Sequence, residues 1–191
     1  MRGFLVGVIL TVIAFPIAVG WYVGSSHMPV AAADSPIMFE RKLAKTALHA
    51  RISREAPKRD AASFSGADLA SGAGIYVKDC AFCHGLPGQP PSVAGKGMFP
   101  EAPQLFEPKE MVTDDPVGVT FWKVQNGIRL TGMPGFKAAL SDVQMWQVSA
   151  LVARADQLPA EAKQVLNQTG TPVAAPAVPL GSPANPPANP R

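Results

Sequence analysis

The chain has 191 residues, room for one domain of ordinary size plus tails, and 20 prolines, too many for packed helix from end to end. Its net charge of +3 is unevenly spread, with seven Lys/Arg against two Glu in residues 40–59 but seven Lys/Arg against nine Asp/Glu in residues 66–158. The basic character therefore lies outside the prospective domain, which argues against nucleic acid as a partner, because a binding face needs its charge on the folded body.

Residues 3–26 carry no charge, and residues 4–23 are almost wholly apolar. Twenty residues at helical rise cover about 30 Å, the hydrocarbon thickness of a bilayer. Trp21 and Tyr22 stand where an interfacial aromatic belt would place them, and Pro16 is tolerable in a membrane helix. A cleaved signal peptide has a shorter apolar core, about 7–15 residues, and the small-residue run Ala31-Ala32-Ala33 lies well beyond this one. Residues 1–26 are thus expected to be an uncleaved transmembrane anchor in contact with lipid, with cleavage as the alternative.

Residues 27–65 form a linker containing a basic helix over residues 38–55. Leu43, Ala47, Leu48 and Ile52 share one face of that helix, with Arg41, Lys45 and Arg51 around it. Three roles fit the face: lying on the lipid surface, which its closeness to the anchor favours, packing against the domain, or meeting a partner.

Three further helices have readable ends. Ser65 with Asp68 caps a helix running to about Asp79. Asp115-Pro116 is an N-cap and first-turn pair, and Gly127 is the left-handed stop after Asn126. Ser141 with Gln144 forms a capping box, with Leu140 and Met145 as a hydrophobic staple. That last helix is expected to reach Gln157, with Val143, Trp146, Gln147, Ala150 and Leu151 on its inner face. Residues 85–108 read as loop, and no stretch alternates convincingly enough for a strand. The domain, residues 66–158, is therefore all-α. Residues 159–191 read as a Pro/Ala-rich tail, disordered or extended from Thr169 onward for want of large side chains.

Cys80-Ala81-Phe82-Cys83-His84 is a Cys-x-x-Cys-His, the attachment motif for c-type haem. Two thiols on one helical turn can each reach a vinyl group of one porphyrin edge, and the imidazole of His84 then projects toward the iron. A thioredoxin-type dithiol would need a βαβ setting, and a structural zinc site four ligands. Neither fits a chain whose only other histidines are His27 and His49 and whose two cysteines are both in the motif. For the sixth ligand, Met133 stands between Gly132 and Pro134-Gly135, a loop that can bring a thioether close and hold it. Met98 is the best substitute and His49 a remote one; Met111 also lies beside a loop.

With these residues in view, the segment 66–158 resembles a class I cytochrome c. The marks are Gly72-x-x-x-Tyr76-x-x-x-Cys80 running into the motif, the Met133-Pro134 loop, and a closing helix carrying Trp146. The resemblance implies that the first and last helices cross closely, with Gly72 or Gly74 against Trp146 beside Tyr76. It implies a carbonyl, with Pro103 as candidate, accepting from the His84 imidazole, and one covalent haem c. It also implies a domain outside the cytoplasmic membrane, facing the bacterial periplasm. Trp122 and Arg129 either line the haem or serve as core and surface.

Histidine plus thioether would fill both axial positions, favouring electron transfer over substrate chemistry and raising the reduction potential. The expected function is a membrane-anchored carrier, not an enzyme. It would move single electrons between a quinol-oxidising complex or dehydrogenase and a terminal oxidase or similar acceptor. The alternatives are a fixed cytochrome subunit of a dehydrogenase and a haem-based gas or redox sensor.

Overall fold

The computed structural model describes residues 2–25, 27–110 and 112–168, and among them it has eight α-helices and no strand. The tail expected from Thr169 onward and the loop residue Met111 lie outside the described residues. In chain order the helices are α1 (Arg2–Gly24), α2 (Glu40–Glu55), α3 (Gly66–Asp79), α4 (Ala81–His84), α5 (Val93–Lys96), α6 (Val117–Asn126), α7 (Asp142–Ala153) and α8 (Ala160–Gln168). Helix α1 contains Pro16, is exposed from Gly3 to Gly24, and is long and apolar enough to cross a membrane.

The domain is organised by the crossing of α3 and α7. Helix α3 starts at the expected capping box: Ser65 Oγ accepts from the Asp68 N–H at 3.2 Å, and the Asp68 carboxylate accepts from the Ser65 N–H at 3.0 Å. Leu69, Gly72, Ala73 and Tyr76 then make one buried stripe. A Cβ at Gly72 would overlap the backbone carbonyl of Gln147, so the two helices meet main chain to main chain there. Gly74 has nothing within 4 Å of where its Cβ would be. Trp146 is not the group opposite the glycine, contrary to the expectation. It turns toward α6 and stacks on Phe121, with ring centroids 4.1 Å apart and planes at 19°. The Arg59 guanidinium covers Trp146 and Phe64, 5.2 and 4.3 Å from their ring centroids.

Helix α7 begins with the Ser141–Gln144 capping box, with Leu140 and Met145 both buried as its staple. Its inner face differs from the sequence reading. Val143 is 65% exposed, whereas Met145, Val148, Leu151 and Val152 are buried. The first turn stands clear of the core, and the later turns are buried over a wide arc because α3 and α6 pack on different sides of the helix. Leu69, Met145, Leu151 and Leu166 are almost wholly inaccessible, and burial of each contributes on the order of 2 kcal/mol.

Two ends also move. Helix α7 stops at Ala153, short of Gln157, and residues 160–168, placed in the tail from sequence, form α8 along α3 with Ala162 and Leu166 buried. Pro159 and Glu161 suit a helix start, and the apolar spacing 162–165–166 gives it a face to bury. At α6 the N-cap position is Pro116, without a side-chain cap, and Asp115 instead pairs with Lys123 at 3.5 Å.

Of the three roles open to the basic helix, α2 shows packing against the domain at its C-terminal end. Ile52 is buried, the Pro57 carbonyl sits where a Cβ of Gly118 would be, and Trp122 Nε1 donates to Glu55 Oε2 at 3.0 Å. At its other end Leu43 remains 71% exposed. The Trp122 N–H first, and then Arg51, hold the Glu55 carboxyl below its ordinary value of 4.5.

Two predictions arise here. Gly72→Ala, with a backbone carbonyl in its way, should destabilise the holoprotein to denaturant by about 1–3 kcal/mol, while Gly74→Ala should be neutral or gain up to about 1 kcal/mol of helix propensity. Because the Glu55 pKa is depressed on folding, its share in holding α2 is intact above pH 4.5 and lost as pH falls through the lower folded value. The protection factors of the α2 amides, measured exchange divided into the intrinsic rate at each pH, should therefore fall on acidification in the wild type, with a weaker pH dependence in Glu55→Gln.

Candidate haem-binding site

Helix α3 leads directly into the motif. The Cys80 carbonyl accepts from the N–H groups of Cys83 and His84 at 3.1 and 3.0 Å, so all three side chains share one turn. All three are half-buried, and the cysteines are free thiols. Burial, with the charges of Asp79 and Cys83 adding, pushes the Cys80 thiol up to about 12. The turn is tied back to α3 by the buried Tyr76 hydroxyl, which donates to the Gly85 carbonyl at 2.8 Å. Gly85 takes φ +77° where the chain reverses against the carbonyls of Gln89 and Pro90, a path open in practice only to glycine.

His84 Nδ1 lies 2.7 Å from the Pro103 carbonyl oxygen. A carbonyl can only accept, so Nδ1 carries the proton and Nε2 keeps a lone pair, the tautomer a metal ligand needs. Burial lowers the imidazole pKa below its ordinary 6.5 and so favours the neutral ring, with the Pro103 bond partly opposing.

The residue that orders this loop was not picked out from sequence. Gln104 is buried, and its Nε2 donates to the carbonyls of Leu86 and Gln89 at 2.6 and 2.9 Å while its Oε1 accepts from the Phe106 N–H. It thereby holds the strand of loop that carries Pro103 against the loop leaving the motif. A lone Gln in a Gly/Pro-rich stretch has no periodic signal, so only its neighbours in space mark it.

Met133 is half-buried and packs against the same core as Cys80. Its carbonyl accepts from the Ile128 N–H at 3.2 Å, and its own N–H donates to Thr131 Oγ1 at 3.1 Å. Farther on, the N–H groups of Phe136 and Lys137 donate to the Val124 and Gln125 carbonyls of α6 at 2.9 and 3.3 Å. Gly127, at φ +67°, lies against Gly135 and Pro134, leaving no room for a Cβ on either glycine. It is the expected glycine stop at positive φ, with its ψ of −174° outside the left-handed helical well.

Among the other candidates, Met98 is half-buried near Gly132, Met145 is core, and His49 is exposed on α2. Trp122 is committed to Glu55 and α2, and Arg129 is exposed. Among the described residues, no three His, Cys, Asp or Glu side chains gather as a metal site. The residues present fit a covalent haem: two adjacent free thiols, a neutral imidazole with Nε2 available, and a thioether on a braced loop. Gln104→Ala should destabilise the folded holoprotein to denaturant by about 1–3 kcal/mol, because two carbonyls lose a buried donor.

Residues 67–152, somewhat under half of the chain, match the model of the family described as cytochrome C oxidase, cbb3-type, subunit III. Comparison with curated proteins and with solved structures gave no match. A cytochrome c family implies covalent haem c and electron transfer. The all-helical frame, the Cys-x-x-Cys-His turn at its centre and the family match over both identify residues 67–152 as a c-type cytochrome domain.

Proposed function

We propose that Cys80 and Cys83 hold one haem c through thioethers, that His84 and Met133 are its axial ligands, and that the chain is a membrane-anchored electron carrier. The observation that carries this reading is the His84 Nδ1–Pro103 hydrogen bond, which presets the imidazole as a ligand on the turn that bears both thiols. A bound haem supplies a one-electron iron couple. His84 and Met133 together leave no axial place for a substrate, and a methionine ligand raises the potential. Cys80 and Met133 both pack against the apolar core, which would shield that side of a bound haem from water.

Helix α1 is the proposed single-pass anchor, with the haem domain on the periplasmic face of a bacterial cytoplasmic membrane, where covalent haem attachment takes place. Electrons would come from a quinol-oxidising complex or dehydrogenase and pass to a terminal oxidase. The description of the matched family as an oxidase subunit supports a second reading, a fixed cytochrome within a larger redox complex. Co-purification of large partner subunits with the full chain distinguishes it from a mobile carrier.

The wild type, matured in cells that attach c-type haem, should give a low-spin spectrum with a methionine–iron charge-transfer band at the red end. Met133→Ala should lose that band and show a lower reduction potential. Cys83→Ala should impair covalent attachment, read by haem staining after denaturation. Normal staining would remove the attachment assignment, and an unchanged Met133→Ala spectrum would remove the ligand assignment.

A further inference from the structure

The loop that holds His84 also reaches the Met133 loop. The Ala102 N–H donates to the Gly95 carbonyl at 3.0 Å, closing an excursion over residues 96–101. Both ends of its base are pinned on the histidine side. Gly95 lies so close to the Cys83 carbonyl that a Cβ would overlap it, and Pro103, next to Ala102, accepts from His84. The excursion itself carries Met98, whose thioether lies directly on the α-carbon of Gly132. A Cβ there would overlap Sδ, with Cγ and Cε 2.8 and 3.0 Å away. Gly132 immediately precedes Met133. Phe99, the next residue, lies 5.4 Å under the Arg41 guanidinium of α2 and lines one shallow cavity with Leu130, Val30 and Pro36.

We infer that Met98 is a positioning residue for Met133: its thioether fills the space over Gly132 and stops the backbone ahead of Met133 from moving into it. The other ties on that backbone come from within residues 127–137 or from α6. Met98 alone among these contacts comes from the loop that orients His84, so one loop supports both axial positions. The inference rests on Met133 being the sixth ligand. Half-buried methionine suits the place, since a flexible thioether chain fills an irregular gap against a bare α-carbon.

The test uses the full-length ferric holoprotein titrated with imidazole, which competes with a thioether for the sixth position. Met98→Ala should bind imidazole about tenfold more tightly than wild type, the scale expected when a half-buried methionine is cut back. Met98→Leu, which keeps the volume, should restore wild-type binding. Gly132→Ala should reproduce the Met98→Ala effect by expelling the thioether. Adding Gly132→Ala to Met98→Ala should bring affinity back toward wild type, because the new methyl takes the vacated space. Wild-type imidazole affinity and an unchanged methionine–iron band in Met98→Ala would overturn the positioning role. So would loss of the band in Met98→Ala with its retention in Met133→Ala, since Met98 would then be the ligand itself. Absence of the band from the wild type would instead mean that the Met133 reading had failed.

Discussion

At Gly72 the main chains of α3 and α7 touch, with no side chain able to stand between them. Interiors packed this tightly do not flex continuously, so the crossing sets where α3 ends. Because α3 runs directly into Cys80, it also sets where the turn bearing both thiols and His84 begins. Helix α7 then carries the constraint to α6 through the Trp146–Phe121 stack, a contact of the kind that adds about 0.5–1.5 kcal/mol beyond its area. The C-terminal end of α6 bears Gly127 and receives the Met133 loop. One frame of three helices thus places both segments that carry the proposed ligands, although they are far apart in sequence.

Between α3 and α6 the only regular structure is the one-turn helices α4 and α5, and the buried polar groups of the loops need partners all the same. Three side chains supply them: Tyr76 to Gly85, Gln104 to Leu86 and Gln89, and His84 to Pro103. The last of these has a chemical consequence as well as a structural one. It puts the imidazole proton on Nδ1, so no proton would need to shift for Nε2 to serve as the proposed ligand. Order in the loop and the tautomer of His84 come from the same hydrogen bonds.

The segment between α1 and the domain is not wholly a free tether. Ile52 is buried on the domain, Pro57 fits against Gly118, and Glu55 accepts from Trp122. The sequence from the end of α2 into the domain is therefore part of the fold. The exposed end of α2, with Leu43 and its neighbouring cations, leaves the lipid-surface role open beside the packing role.

The turn of the Cys-x-x-Cys-His motif, the two capping boxes and the all-helical class were legible in the residues themselves, because each depends on spacing over one to four positions or on the lack of alternation. Cys80, Cys83 and His84 meet wherever the chain makes a turn, and Ser65 with Asp68 or Ser141 with Gln144 close a cap without help from the rest of the molecule. The Pro103 partner followed only from resemblance. Groups defined by distant neighbours were not legible. Trp146 stacks on Phe121 and not on Gly72, Val143 is exposed, Trp122 bonds to Glu55, α8 packs where a tail was expected, and Gln104 staples the loop. Periodicity says that a side chain has an apolar face around it but not which element will cover that face. That choice is made by the packing of the whole chain, where one close helix crossing decides what space remains for everything else.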